Sequence, residues 1–228
     1  MRQLFAFREQ PNFPARFNIT PTQPIAIIRA GKNAREFTFV RWGLLPGWVK
    51  DTDKFPLLVN ARSETAFEKP AFKNAIRRRR CIIPADAFYE WQAGAKRPKQ
   101  PFMIKPADGG TMAFAAIWEH WMGADGSEME TATILTSPAN DTLKPIHNRM
   151  PVILKPENFE EWLERPEQEA EKLKPLLIPA ANDLLEVVPI STRVNKVAND
   201  DADIQVPVEM GSEEVKAVSP ESDQLTLL

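Results

Sequence analysis

Five short stretches carry more polar and reactive side chains than a folded core requires. They are Arg16-Phe17-Asn18-Ile19-Thr20-Pro21, Trp42-Gly43-Leu44-Leu45-Pro46-Gly47-Trp48, Asn60-Ala61-Arg62-Ser63-Glu64-Thr65, the run from Cys81 to Trp91, and Pro145-Ile146-His147-Asn148-Arg149-Met150-Pro151. An imidazole near neutral pH can both donate and accept a proton, which gives His147 acid–base potential. The guanidinium forks of Arg62 and Arg149 match the geometry of a phosphate. Trp48 offers a flat apolar face. On paper, Cys81, His147 and Asn60 could even make up a cysteine hydrolase triad. Each residue also has an ordinary reading. Glu90, between Tyr89 and Trp91, fits the exposed phase of an amphipathic strand. His147 fits a loop histidine satisfied by backbone, and Trp42 and Trp48 fit covers for a core. Cys81 leads into Ile82 and Ile83, where a free cysteine is usually a small buried hydrophobe, and that structural reading is adopted.

Composition narrows the setting for this chemistry. The chain has 228 residues, 29 Lys+Arg against 31 Asp+Glu, and 43% hydrophobic residues, the profile of one ordinary globular domain. A single cysteine excludes a disulfide scaffold and a multi-cysteine zinc site, and His120 and His147 are the only histidines. No apolar run reaches the roughly 18 residues of a membrane span, and no signal peptide pattern opens the sequence. The expectation is a soluble cytoplasmic monomer without metal or cofactor. Charge is uneven along the chain: residues 1–100 hold 19 basic and 8 acidic side chains, a net of +11, while 101–228 carry −13. Such polarity points to a polyanion-binding face, unless the fold mixes the two halves over one surface.

The elements that must position these residues are short. With 21 prolines and 9 glycines, strands are predicted at Ile25–Arg29, Glu36–Trp42, Leu57–Val59, Arg80–Ile83, Phe102–Lys105, Met112–Trp118, Glu130–Thr136, Val152–Leu154 and Leu185–Pro189. Helical spacing of Phe67, Ala71, Phe72, Ala75 and Ile76 predicts a helix over Ser63–Arg79 with Ser63 as its N-cap. A second helix is predicted at Pro156–Leu163 and a third at Gln168–Leu177. Arg77–Arg80 fall at the first helix's C-terminus, where capping and solvation account for them better than contact with a polyanion. From about Asn199 the chain turns acidic and loses aromatics, which predicts a disordered tail over 206–228. The fold class is α+β: a β-rich domain over 1–205, a partly closed barrel of short strands with peripheral helices.

Taken together, the five stretches resemble the SRAP (SOS response-associated peptidase) family of abasic-site processing proteins. That family shows Arg-Tyr/Phe-Asn-x-x-Pro, Trp-Gly-x-x-Pro-x-Trp, Asn-Ala-Arg-x-Glu, Gly/Ala-Phe-Tyr-Glu-Trp and His-x-Arg-Met-Pro motifs, and counterparts of all five occur here in order between Arg16 and Pro151. The resemblance implies binding of single-stranded DNA with an abasic site and its covalent capture. In the family, removal of the initiator methionine exposes an N-terminal cysteine. The α-amine forms a Schiff base with the ring-opened sugar, and the thiol closes a thiazolidine; an α-amine pKa of about 7.7–8.0 leaves a neutral fraction for the attack. By motif, Glu90 matches the proton-handling glutamate and His147 the histidine that assists ring opening and reversal. Asn60 matches the asparagine that orients the N-terminal residue. Arg62, Arg149, Trp48 and Asn148 fall on the DNA-contacting side.

The start of the chain departs from the family. It reads Met1-Arg2-Gln3-Leu4-Phe5, with no cysteine before Cys81, whereas family members begin Met-Cys-Gly-Arg. Leu4–Phe7 look like the tail of a helix whose beginning, with a leading strand and the nucleophile, is missing. Two readings follow: a cross-linking enzyme with autoproteolytic and lyase activity, written from an internal start, or a non-catalytic single-strand binding module. The first predicts that the genomic DNA upstream encodes, in frame, a Met-Cys-Gly-Arg-like sequence. An in-frame stop codon before any cysteine codon would favour the binding module.

Overall fold

Two hydrophobic strands open the sheet: β1 (Pro24–Ala30) and β2 (Arg35–Trp42) form a hairpin in register from Pro24↔Arg41 to Ala30↔Arg35. The tight connection needs Gly31, because a Cβ there would lie 2.4 Å from the Ala34 carbonyl oxygen that accepts its N–H. This is a computed structural model, and it describes residues 1–8, 11–92 and 99–209. Further strands are β3 (Asn60–Arg62), β4 (Arg80–Ala85), β5 (Phe88–Trp91), β6 (Pro101–Pro106), β7 (Met112–Met122), β8 (Glu128–Pro138), β9 (Arg149–Pro151) and β10 (Leu185–Pro189). The large sheet runs β2-β1-β4-β7-β8-β3, with β9 also on β8. Parallel pairing of Arg41 with Thr131 and Trp42 with Ala132 then joins β2 to β8, so the sheet returns on itself as a ring of short strands. A second sheet, β10-β6-β5, is antiparallel throughout.

Both faces of the large sheet are covered, which is why β7 and β8 read as nearly continuous apolar runs. One face carries Ile28, Phe37, Ile82 and Leu135 against the helices α1 (Arg2–Phe5), α2 (Lys73–Arg78) and α3 (Phe159–Glu164). Phe5 and Phe159 stack at 5.3 Å there, and the fully buried Trp162 donates its indole N–H to the Cys81 carbonyl at 2.9 Å. The other face carries Ile27, Cys81, Ile83, Phe114 and Ile134 against Phe102, Ile104 and Leu185 of the second sheet.

Several elements differ from the sequence expectation. The helix predicted over Ser63–Arg79 is helical only at Lys73–Arg78, with turns before it. Pro70 is the reason: it lacks an N–H and disfavours a helical Lys69. Ser63 is therefore not an N-cap; its own N–H continues the β3–β8 ladder to the Thr136 carbonyl at 2.9 Å. The strands predicted at Leu57–Val59 and Val152–Leu154 shift to Asn60–Arg62 and Arg149–Pro151, because pairing with β8, not local composition, sets their limits. Only isolated bridges remain at Leu58 and Ile153. The third helix is a 3₁₀ stretch, Glu167–Leu176, with Pro175 inside it. At the start of the chain, α1 is a single turn that ends at Ala6 with φ 54°.

The segment after β10 folds back as a clasp. Asn18 donates its amide to the carbonyls of Val194 (3.1 Å), Lys196 (3.3 Å) and Asn199 (3.0 Å), while Asp200 accepts from the backbone of Asn18 (2.8 Å) and Phe17 and from Arg16. The clasp continues to the Val208 N–H on the Pro189 carbonyl at 3.0 Å, a short way into the span 206–228 expected as tail. Residues 210–228, where most of the expected disorder falls, lie outside the described residues. No helix of the described chain is long and apolar enough to cross a membrane.

Charge follows the same crossing pattern. Arg77 pairs with Glu171 (2.6 Å), Arg78 with Glu167 (2.8 Å), Arg79 with Glu119 (2.6 Å), Arg29 with Glu130 (2.7 Å) and Arg16 with Asp200. These five pairs join the basic first half to the acidic second half, and the arginine run is spent on structure. Arg80 is 6% exposed and donates to the carbonyls of Trp162 (2.6 Å), Ile76 (3.0 Å), Arg77 and Arg165. Burial, with Arg165 nearby, lowers its pKa to about 10, so it stays charged at neutral pH. Arg80→Met is expected to destabilise the protein by about 3 kcal/mol, because it orphans several buried carbonyls. Urea unfolding with an unchanged m-value checks this; a loss near zero would refute the structural role of Arg80.

Candidate functional site

Strand geometry gathers the sequence motifs at one place. In β3 the burial alternates exposed, buried, exposed, so Asn60 and Arg62 share one face with Ala61 packed behind. In β5, Tyr89 and Trp91 pack on one side with Val188 and Ile190, which leaves Phe88 and Glu90 for the other. The 140–147 turn is anchored by Asn140, whose side chain caps Leu143 N–H (3.0 Å) and donates to the Ala180 and Ala181 carbonyls (3.1 and 3.2 Å). Buried Leu143 and Ile146 plug the core beneath, and His147 emerges at the end with its N–H on the Leu143 carbonyl at 3.0 Å.

Asn60, Arg62, Glu90, His147 and Arg149 all line one cavity of about 640 Å³. Ile25, Ile83, Phe114, Ile134 and Met150 also line it, as do Phe13, Phe17, Phe39, Trp42, Tyr89, Thr136 and Met1. A wet mouth of charged groups over an apolar wall is the usual form of a small-molecule or nucleotide site.

Glu90 and His147 face each other, with Nδ1 3.5 Å from Oε1. Burial raises the Glu90 carboxyl above its ordinary value, and the adjacent His147 opposes that rise. Nδ1 also lies 3.1 Å from the Arg149 carbonyl and 3.3 Å from the Arg149 N–H. Unprotonated, it accepts from that N–H; protonated, it donates to the carbonyl or to Glu90. A half-buried acid and an imidazole within reach of each other can pass a proton in either direction.

Arg149 is held by Glu64 through both terminal nitrogens, at 2.8 Å for Nη2, and Nη2 also donates to the Thr136 carbonyl and to its Oγ1 at 3.2 Å. This pairing brings the Glu64 carboxyl down to about 2. Arg62 is exposed and makes no ion pair among the described residues. Glu64 and Thr136 were missed as site residues in the sequence. Glu64 had a signal, since it stands two positions after Arg62 in the same motif; Thr136 had none, being one of several threonines in β8.

The remaining expected residues lie elsewhere. Trp48 is 57% exposed, packs edge-on against Phe55 at 5.6 Å, and does not line the cavity. Asn148 is exposed beside the cavity wall, its carbonyl accepting from Ala139 N–H at 3.0 Å. Cys81 is 0% exposed, does not line the cavity, and its thiol is pushed up by burial, so the Cys81–His147–Asn60 hydrolase arrangement does not exist in this fold. Among the described residues no group of three or more His, Cys, Asp or Glu is arranged to hold a metal ion.

Comparison with known proteins matches residues 1–197 to the family model described as SOS response associated peptidase. The chain is 41% identical over 189 residues to the abasic site processing protein YoaM of Bacillus subtilis, covering 82% of this chain and 83% of that one. It is 34% identical over 195 residues to the abasic site processing protein YedK of Escherichia coli, covering 85% of each. A crystal structure of a protein from Bacteroides thetaiotaomicron superposes with a TM-score of 0.73 at 30% identity, covering 82% of both chains.

The environment of Glu90 gives a pH signature. Because its folded pKa is raised from the ordinary 4.5, the neutral acid favours folding; that contribution is full below 4.5 and is lost as pH rises through the folded value. Glu90→Gln, neutral throughout, is therefore expected to melt higher than wild type at neutral pH and equally below about pH 4. Thermal unfolding across that range checks it, and a difference that does not vary with pH would contradict the assignment.

Proposed function

The chain belongs to the SOS response associated peptidase (SRAP) family, and on that premise we propose that it processes abasic sites by binding single-stranded DNA and capturing the lesion covalently. The observation that carries this reading is the Glu90–His147 pair, 3.5 Å apart on a cavity that Asn60, Arg62, Arg149 and the first residue of the chain also line. The reacting group is an N-terminal cysteine exposed by removal of the initiator methionine, in a form of the protein that carries it. Of residues 1–228 the single cysteine, Cys81, is sealed in the core.

In the proposed reaction the neutral α-amine attacks the C1′ aldehyde of the ring-opened sugar. His147 assists that opening by moving a proton at the ring oxygen. Protonated Glu90 donates to the departing hydroxyl, so that one water leaves and a C=N bond forms. The thiol then adds to the imine carbon: a C–S bond forms, the S–H proton ends on nitrogen, and a five-membered thiazolidine closes. Glu90, ionised in the previous step, accepts and returns the protons in transit. Burial raises its pKa above the ordinary carboxylate value, which favours proton donation by this carboxyl. Asn60 orients the amine, and Arg62 and Arg149 hold the flanking phosphates. The same carboxylate serves methionine removal.

As a single-strand binding module, the chain of residues 1–228 alone keeps the cavity and the phosphate contacts without a thiol in reach. The two forms separate in one experiment. A protein with an N-terminal Met-Cys extension is expected to give a denaturation-resistant adduct with abasic single-stranded DNA, whereas residues 1–228 should bind it and leave no such band. Glu90→Gln or His147→Ala in the extended protein should slow adduct formation by roughly 10²-fold. An adduct formed equally well by both variants would overturn the assignment of the pair.

A further inference from the structure

Arg149 would be expected to meet a phosphate with an open fork, yet its fork already grips a carboxylate. Both Nη atoms are bonded to Glu64, and Nη2 is bonded in addition to Thr136. Its remaining nitrogen, Nε, is buried and has no partner among the described residues. Glu64 is the freer half of this pair: its side chain is 46% exposed, against 19% for Arg149. The carboxylate can therefore swing into water with little cost in desolvation, while the guanidinium stays where β8 and β9 put it. Arg62, on the same cavity, has no such partner among the described residues.

We propose that Glu64 is an internal competitor for DNA phosphate, a latch that occupies the Arg149 fork and keeps it from a strand's phosphate unless displaced. The inference rests on the single-strand binding reading and adds to it a residue that sets binding strength. A bidentate carboxylate presents two acceptor oxygens at nearly the spacing of a phosphate's, which is why one can stand in for the other on the same arginine. The carboxyl titrates near 2 beside Arg149, so the competitor is ionised at every pH where binding would be measured. Its effect is to discount phosphate contacts. Non-specific attraction to intact strands, which consists of such contacts, is held down, while recognition of the missing base in the cavity is left untouched.

The test is a salt titration of binding by fluorescence anisotropy, with labelled single-stranded oligonucleotides, one intact and one with a single abasic site. Wild type, Glu64→Gln, Glu64→Asp, Arg149→Gln and the Glu64→Gln/Arg149→Gln double variant are compared. Releasing one phosphate contact steepens the slope of log K against log salt by about 0.7 for a single strand. Glu64→Gln is expected to show that steepening and to bind the intact strand roughly three- to tenfold tighter at low salt. Glu64→Asp, which keeps the charge, should stay at the wild-type slope. In the Arg149→Gln background the Glu64→Gln gain should vanish, because the latch acts only through that arginine.

A gain that persists without Arg149 would mean that Glu64 merely repels DNA at long range, which overturns the latch. A wild-type slope or weaker binding in Glu64→Gln, with wild type itself bound in a salt-dependent way, would overturn the latch and leave the binding reading intact. No salt-dependent binding by wild type would remove both.

Discussion

The fold depends on one strand lending both of its edges. β8 pairs along one edge with β7 and then β9, and along the other with β2 and then β3. Ile134 and Thr136 are each flanked on both sides, by Ala116 and Asn60 and by Pro151 and Arg62. Buried backbone groups must find partners, so every segment that lies against β8 is fixed in register by its hydrogen bonds. Two motifs far apart in sequence meet here, Asn60 and Arg62 arriving on β3 and Arg149 on β9 with His147 just ahead of it, beside Thr136 of β8 itself. The ring closure through Arg41 and Trp42 holds the same strand from the other end.

Glu90 reaches the site by a different route, on the second sheet. Its placement rests on the contacts that dock β5: the Tyr89 hydroxyl donates to the Phe17 carbonyl at 2.6 Å and the Trp91 indole to Asn195 at 2.7 Å. Phe17 is in turn held by Asp200. The Arg16-Phe17-Asn18 motif therefore does its work as a joint: it ties the wall beside Glu90 to the clasp formed by residues 194–200. Rigid support behind an acid–base pair is what keeps two groups at transfer distance in a cavity open to solvent.

Charge is distributed by the same logic. Arg16, Arg29, Arg77, Arg78 and Arg79 of the first half pair with acids of the second, some in half-buried pairs that lock elements together and some in exposed pairs that add little. Among the described residues that line the cavity, Arg62 makes no ion pair, while Arg16 is held by Asp200 and Arg149 by Glu64. The fold builds a local site in which a few cations are set against an apolar wall.

Local chemistry in the sequence determined a good deal. The strand content, the five motifs and the buried, inert character of Cys81 follow from alternation, β-branched runs and the habits of a lone cysteine beside isoleucines. Tertiary structure decided the rest. The limits of β3 and β9 come from the partner strand, and Pro70 cuts a helix that apolar spacing alone would have extended. Glu90 could be read from sequence as the exposed phase of a strand, since alternation says which residues share a face but not what that face meets. Its burial, its 3.5 Å approach to His147 and the Glu64 carboxylate on Arg149 are all contacts between segments dozens of residues apart. No local pattern encodes such distances; they exist only once hydrogen bonding to β8 and packing of the second sheet have fixed the backbones that carry these side chains.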